Sequence, residues 1–234
     1  PSGPAWPDRF RGLMRVSAIA VLAGLLMSAM AVTANAYELS VTVTLDGSTE
    51  PVANAVVSVD SGRQGTPVSA EIYQKDRAFH PHVLVVPVGS SVDFPNRDNT
   101  QHHVYSFSPA KTFNIELYAD RPAAPIVFDK PGIVELGCNI HDHMQGFVVV
   151  TDTAATSQTD ASGQVTLSIE SQGSEGSPEK VTVEIWHPRL PDNTRPVTRE
   201  IEAGDKPAIV TLNLEPEPAA EGSLDRLQQR FREL

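Results

Sequence analysis

Cysteine is almost absent from this sequence: Cys138 is the only one in 234 residues. A single thiol excludes an intrachain disulfide and a zinc site built from several cysteines. Positive charge is also scarce, since 18 Lys and Arg stand against 29 Asp and Glu, which gives a net charge of −11. The basic residues are scattered along the chain, which argues against a nucleic-acid-binding protein. A hydrophobic content of 40% with a charged content of 20% is typical of a globular protein.

An uncharged stretch near the amino terminus, residues 16–37, follows three arginines and ends in the small-residue pattern Ala-Asn-Ala at 34–36. A basic start, an apolar middle and a small-x-small exit are typical of a secretory signal peptide. We therefore expect residues 1–36 to be a signal peptide, with residues 1–13 upstream of a true start at Met14. The stretch is also just long enough for an uncleaved membrane anchor. Cleavage fits the pattern better, so we expect a periplasmic protein with no stable membrane span.

The rest of the chain consists of short apolar runs separated by proline, glycine and polar residues, which predicts an all-β protein. We predict strands at residues 39–45, 55–59, 83–88, 91–94, 103–107, 112–117, 126–128, 133–136, 147–150, 165–169, 181–186, 197–201 and 209–214. Many short strands of this kind are typical of β-sandwiches. After a proline-rich linker, apolar residues recur at helical spacing and predict a short amphipathic helix at the C-terminus. They are Leu224, Leu227, Phe231 and Leu234.

Side chains that can ligate a metal concentrate in one part of the chain. Six of the seven histidines lie between positions 80 and 143, near Cys138 and Met144. Within residues 137–144 (GCNIHDHM) the spacing Cys-x₂-His-x₂-Met can fold three ligands around one ion, and His102 can supply a fourth from a distant strand. A thiolate, two imidazoles and a thioether form a soft donor set that suits copper. The sequence therefore predicts one mononuclear type 1 copper site, with His102, Cys138, His141 and Met144 as ligands.

The remaining histidines leave alternatives open. His102 and His103 are neighbours, and strand alternation sends neighbouring side chains to opposite faces, so only one of them is expected to reach the ion. His143 lies inside the ligand loop and is an alternative to Met144, which is also compatible with plain core packing. Four histidines are candidates for secondary metal binding: His80, His82, His103 and His143. His187 is expected to be structural.

Four segments together resemble a cupredoxin, over about residues 68–152. They are 79–81 (FHP), 88–96 (VGSSVDFPN), 102–104 (HHV) and 131–141 (PGIVELGCNIH). The spacing of the ligand loop resembles that of amicyanin, and the chain after the signal resembles periplasmic proteins of the methylamine-utilisation type. The resemblance implies a Greek-key β-sandwich with one copper ion, and by position it assigns the upstream imidazole to His102 and the axial thioether to Met144. The family has an asparagine where this chain has His103, so the hydrogen bonds that brace the ligand loop are expected to differ.

Residues 41–59 and 158–167 resemble the two halves of a carboxypeptidase-regulatory-like β-sandwich. Neither half has enough strands to cover a core alone. We therefore expect the cupredoxin to be inserted into this second domain. The expected limits are 37–67 for the first part of that domain, 68–152 for the cupredoxin, 153–214 for the second part, and 215–234 for the linker and helix. The alternative is a linear arrangement, in which residues 38–66 add strands to the cupredoxin.

These features favour an exported copper protein that carries single electrons between redox partner proteins. The acidic charge predicts partners with basic surfaces and encounters that weaken with salt. The alternative is a copper tolerance or delivery protein, which the additional histidines favour. No nucleophile–base pair points to an enzyme, and we expect a monomer or weak dimer.

Overall fold

A computed structural model of this chain describes residues 35–141, 143–171, 180–204 and 206–217. The regular secondary structure in these ranges consists of β-strands. Those ranges contain no helix, and so none that is long and apolar enough to cross a membrane. The all-β prediction is confirmed. The predicted C-terminal helix lies outside the described residues, as does the predicted signal peptide except for Asn35 and Ala36, which begin the first strand.

The middle of the chain forms a cupredoxin-like β-sandwich. Its ten strands are β3 (Ser69–Glu71), β4 (Tyr73–Lys75), β5 (Ala78–His80), β6 (Val83–Pro87), β7 (Ser90–Asp93), β8 (His102–Ser108), β9 (Lys111–Tyr118), β10 (Ile126–Phe128), β11 (Gly132–Gly137) and β12 (Gln145–Thr151). A five-stranded sheet of order β6-β12-β11-β8-β9 faces a three-stranded sheet of order β10-β7-β3, and β4 and β5 form a separate hairpin. Because the side chains alternate along each strand, Val134 and Leu136 of β11 and Val148 and Val150 of β12 all point into the core between these sheets.

The two ends of the described chain together form a second, smaller β-sandwich. Its seven strands are β1 (Asn35–Leu45), β2 (Val56–Val59), β13 (Ala155–Gln158), β14 (Gln164–Ser171), β15 (Lys180–Trp186), β16 (Val197–Glu202) and β17 (Ala208–Leu212). One sheet has the order β14-β1-β17 and the other the order β13-β2-β15-β16. Leu39, Val41 and Val43 alternate with polar residues along β1 and fill the core between the two sheets.

Strands from before the cupredoxin-like sandwich share sheets with strands from after it. Val41 of β1 lies opposite Val165 of β14 in an antiparallel pair and opposite Ala208 of β17 in a parallel pair. Val57 of β2 lies opposite Ser157 of β13 and Ile185 of β15. These pairings support the insertion of the cupredoxin within the second sandwich, which we propose as the domain organisation in preference to the linear arrangement.

The second sandwich also packs against the cupredoxin-like sandwich. The outer face of the five-stranded sheet carries Val83 and Val85 of β6 and Phe147 and Val149 of β12, and all four belong to the apolar core of the second sandwich. Trp186 is at the centre of this contact, since its indole lies edge-on to the Phe147 ring with 5.2 Å between the ring centroids. Both side chains are 1% exposed, so the two sandwiches share a dry apolar layer.

His187 is a structural histidine, 8% exposed, at the junction of the two sandwiches. Its Nδ1 accepts a hydrogen bond from the Arg189 backbone N–H at 3.1 Å. Burial, with smaller contributions from the positive charges of Arg189 and His82, lowers the pKa of His187 to about 4, although a hydrogen bond to the Ala53 backbone opposes the change. The ring is therefore neutral in the folded protein at every pH above that value.

This neutral ring predicts a loss of stability in mild acid. The folded-state pKa lies below the ordinary value of 6.5, so the unfolded chain takes up the proton first and stability falls as pH drops from about 6.5 to about 4. The full difference between these two pKa values corresponds to a loss of at most about 3 kcal/mol in the free energy of unfolding. We expect His187→Asn, which keeps an acceptor near Nδ1 but does not titrate, to remove this part of the pH dependence. Urea unfolding of both proteins across that pH range measures it, and equal pH slopes would contradict the prediction.

Candidate metal centre

The metal-ligand candidates come from two places that the five-stranded sheet brings together. His102 is the first residue of β8, and alternation along that strand turns its side chain inward and that of His103 outward. Cys138 and His141 belong to the loop that leaves β11 and leads to β12. Gly137 at the end of β11 lies opposite Tyr105 of β8, so the pairing of these strands sets the loop beside His102.

One thiol and two imidazoles form a close cluster. The Cys138 Sγ lies 3.8 Å from Nδ1 of His102 and 3.7 Å from Nδ1 of His141. The three candidate ligand atoms all lie within 4.8 Å of one another, and this is the one such group among the described residues. His102 is 0% exposed and Cys138 is 4% exposed, whereas His141 is half-buried. The cluster is therefore closed on the core side and reaches the surface at His141.

Met144 completes the loop next to this cluster. It is 2% exposed and packs in the same core as Cys138. Its backbone N–H donates a hydrogen bond of 2.9 Å to the His141 carbonyl, which closes a tight turn between the two residues. The neighbouring His143 is exposed and lines a different cleft. This placement favours Met144 over His143 as the fourth ligand, and that assignment remains our prediction.

His102 is held in place by Asp98, a residue that no sequence pattern indicated. The Nε2 of His102 lies 2.7 Å from Oδ2 of Asp98, on the ring edge opposite the nitrogen that faces Cys138. Asp98 also accepts hydrogen bonds from the backbone N–H groups of Asp76 at 2.7 Å and Arg77 at 3.0 Å, in the turn between β4 and β5. A carboxylate that accepts the second ring N–H of a histidine ligand fixes the tautomer and orientation of that ligand.

The pKa shifts at the site favour an ionised Asp98 and a neutral His141. Burial alone would raise the pKa of Asp98, but the hydrogen bonds from Arg77, His102 and Asp76 outweigh it and lower the pKa below the ordinary value. Burial is the main cause that lowers the pKa of His141, and the charges of His102 and Arg77 act in the same direction. A metal binds a histidine only in its neutral form, so the second shift favours metal binding.

The Asp98 contact predicts a loss of copper affinity when the carboxylate is removed. We expect Asp98→Asn to weaken copper binding by about 10–100-fold, the usual effect of losing such an outer partner of a histidine ligand. A competition titration with a chelator of known affinity measures the change. Asp129→Asn is a suitable control, because Asp129 is an exposed carboxylate paired with Lys111 and does not contact the cluster. Equal affinities for Asp98→Asn and the control would contradict a positioning role.

A buried polar network supports the loop that carries Asp98 and His102. The Asn96 side-chain amide donates to the Thr100 carbonyl at 2.7 Å and to the Tyr118 carbonyl at 3.1 Å. Burial is the main cause that raises the pKa of Tyr118. The protonated hydroxyl lies 2.7 Å from Oε1 of Gln74 and 2.6 Å from the Phe94 carbonyl oxygen, and it can donate its one proton to either acceptor. This gives the FPN segment at 94–96 a physical role, since it joins the loop to both β9 and the β4–β5 hairpin.

The structure places the other candidate histidines apart from the cluster. His103 packs on Tyr105, with 5.5 Å between the ring centroids, and its buried Nδ1 has no hydrogen-bond partner among the described residues. His80 stacks on Tyr73, and its Nε2 lies 3.1 Å from the Lys75 carbonyl. His82 lies edge-on to Phe147. The described residues thus bring none of these histidines, nor His143, into a second metal-ligand group.

Copper fits the donors that the cluster presents. A thiolate and two imidazoles with an adjacent thioether are the ligand types of a type 1 copper site. Zinc sites of structural type take several cysteines, which a chain with one cysteine cannot supply. The three donors also lie close together among the described residues. Copper is therefore the cofactor that the site accommodates.

No protein-family model matches the chain, and no curated protein sequence matches it. Among solved structures, a copper-containing nitrite reductase from Thermus scotoductus SA-01 is similar to 37% of this chain, at 27% identity and a TM-score of 0.33. The match spans only 22% of the nitrite reductase chain.

Two smaller proteins are matched over nearly their whole length. The reduced form of a tryptophan-to-tyrosine mutant of amicyanin is covered to 99% and matches 42% of this chain, at 19% identity and a TM-score of 0.33. A purple cupredoxin from Nitrosopumilus maritimus is covered to 99% and matches 35% of this chain, at 22% identity and a TM-score of 0.28. Each match involves less than half of this chain, and the choice of copper rests on the donor set described above.

Proposed function

We propose that this protein is a copper-dependent carrier of single electrons. The observation that carries the proposal is the cluster itself, in which a buried thiol and two imidazoles lie within 4.8 Å of one another. Copper, when bound there, would supply a one-electron exchange between its two common oxidation states. The proposed ligands are His102, Cys138 and His141, with Met144 as the axial fourth.

The protein's own residues restrict movement at the site. Asp98 fixes the His102 ring through Nε2, and two backbone N–H groups hold Asp98 in turn. Cys138 and Met144 are packed in the core of the sandwich, whose interior is as dense as an organic crystal. A site whose ligands move little between two charge states is suited to fast electron exchange.

His141 provides the contact with a partner. It is the half-buried member of the cluster, and the adjacent Ile140 is 45% exposed. An apolar side chain beside an accessible ligand ring gives a partner an apolar contact next to the cluster.

We further propose a carrier rather than an enzyme, exported to the periplasm by residues 1–36. Neither the cleft of about 900 Å³ between the two sandwiches nor the cavity of about 260 Å³ beside Ser108 is lined by the three cluster residues. A substrate bound in either space would therefore not touch the cluster.

The acidic chain, with a net charge of −11, fits basic redox partners.

A copper titration of the metal-free protein tests this proposal. We expect one copper per chain, an intense thiolate-to-copper absorption band in the visible range, and a reversible one-electron wave in voltammetry. Several weakly bound copper ions without that band would contradict the electron-carrier proposal and favour copper tolerance or delivery.

A further inference from the structure

Among the described residues, only half of the outer face of the five-stranded sheet is covered. The second sandwich covers the side chains of β6, β12 and the start of β11, where Ile133 packs against its core. Beyond that point the outward side chains of β8 and β9 are exposed or half-buried. The part of the chain that the structure describes therefore leaves a sheet surface open immediately beside the junction of the two sandwiches.

Three aromatic rings follow one another along this open surface. His103, Tyr105 and Phe107 are alternate residues of β8, with 5.5 Å between the first two ring centroids and 5.2 Å between the last two. Phe107 is 80% exposed, the highest value among the large hydrophobic side chains of the described residues. We call these three residues the aromatic stripe. Phe107 is exposed, and His103 and Tyr105 are half-buried behind it. Surface aromatic rings grouped in this way are common at protein-binding surfaces.

The aromatic stripe adjoins the copper-ligand loop. Tyr105 lies opposite Gly137, the residue before Cys138. A Cβ atom placed on Gly137 would lie 2.7 Å from Cζ and 2.8 Å from Oη of Tyr105. The phenol ring therefore rests directly on the backbone at Gly137, and only the absence of a side chain there allows this close approach.

The charge around the aromatic stripe is negative. Glu116 of β9 and Glu135 of β11 are exposed and lie on either side of β8, and the Glu135 carboxylate accepts a hydrogen bond from the Gln145 side chain. The register shift between β8 and β9 places Glu116 and Leu117 opposite His103, and Leu117 is 50% exposed. The outward positions of β8, β9 and β11 carry no lysine or arginine among the described residues.

We propose that the aromatic stripe is a docking surface for a positively charged redox protein. The inference rests on the proposed function, which requires a one-electron partner. Aromatic residues are enriched at the centre of protein interfaces, where they bury much apolar area with few rotamers to fix. The flanking carboxylates select a basic partner and speed its encounter. A partner bound here would sit one residue away from Cys138 and would leave the exposed edge of His141 open to another protein.

The test uses the copper-free chain after the proposed signal peptide, residues 37–234, with a basic c-type cytochrome as the probe, followed by NMR of the labelled chain. We expect chemical-shift changes centred on residues 103–107, 112–117 and 135–137, with binding that weakens as salt is added. The double charge reversal Glu116→Lys, Glu135→Lys is expected to reduce affinity by about tenfold or more, since each exposed pair contributes modestly. Phe107→Ser is expected to reduce affinity as well.

Matched controls lie on the second sandwich. Ile209 is 73% exposed on β17, and Glu38 of β1 and Glu184 of β15 are exposed, so Ile209→Ser and the double reversal Glu38→Lys, Glu184→Lys make comparable changes away from the aromatic stripe. The proposal is overturned if the cytochrome does not bind, if the shifts centre on residues 139–144, or if the control variants weaken binding equally. Because no copper is present, failure here is distinct from failure of the copper titration.

Discussion

Replacing Cys138 by serine is expected to abolish the visible absorption band of the copper-loaded protein. The band requires a thiolate bound to copper, and Cys138 is the only thiol in the chain. Its Sγ is central to the cluster, at 3.8 and 3.7 Å from the two imidazole nitrogens. Loss of the outer partner Asp98 is expected to lower copper affinity by about 10–100-fold. Cys138→Ser should lower it further, because this substitution removes a direct ligand. Absorption spectroscopy and chelator competition measure both effects.

Two adjacent histidines give this experiment a matched control. We expect His102→Ala to shift or weaken the band and to lower copper affinity, because one imidazole ligand is lost while Cys138 remains. His103→Ala should leave both unchanged, since the His103 ring points to the other side of β8. His143→Ala should also retain the band if Met144 is the axial ligand. A band that survives in Cys138→Ser, or a His102→Ala variant that matches His103→Ala in both band and copper affinity, would disprove the site as described.

Replacing Trp186 by alanine is expected to lower the free energy of unfolding by about 3–5 kcal/mol. The indole is 1% exposed and packs edge-on against Phe147, so the substitution leaves a large cavity in the layer that joins the two sandwiches. It also removes the hydrogen bond of 2.7 Å that Nε1 donates to the Asn193 carbonyl. Urea unfolding, followed by far-UV circular dichroism, measures the loss.

Phe107→Ala provides the comparison for Trp186→Ala. Phe107 is also aromatic but 80% exposed, and exposed substitutions usually change stability by about 0.5 kcal/mol or less. The shared apolar layer would be contradicted if Trp186→Ala lowered the free energy of unfolding by no more than Phe107→Ala does. A double-mutant cycle with Phe147→Ala would then show how much of the cost comes from that one contact.

The strands that could be predicted are those with a clear apolar pattern. The runs at 83–88, 133–136 and 181–186 each correspond to a strand, because each buries at least one face. Four short strands were missed, namely β3, β4, β5 and β13, which contain three or four residues each. Segments this short have too few residues to show alternation, and they are strands only because neighbouring segments pair with them.

At the candidate site, residues that form a local sequence pattern could be predicted, and residues that meet only in the folded structure could not. Residues 137–144 carry three ligand types at a spacing that one metal explains, so Cys138 and His141 are visible in the sequence. Asp98 is one of several polar residues in a loop, and its role depends on the turn at Asp76 and Arg77, which comes from another part of the sheet system. The contact of Tyr105 with Gly137 is equally hidden, since the two residues meet only across paired strands.

The shared sheets of the second sandwich predict an order of folding. Val41 of β1 pairs with Val165 and Ala208, so its partners are synthesised long after it. The strands of the cupredoxin-like sandwich find their partners between Ser69 and Thr151. Contacts between residues close in sequence form faster than contacts between distant ones. We therefore expect the copper-ligand cluster to assemble before β1 pairs with β14 and β17 and before β2 pairs with β13 and β15.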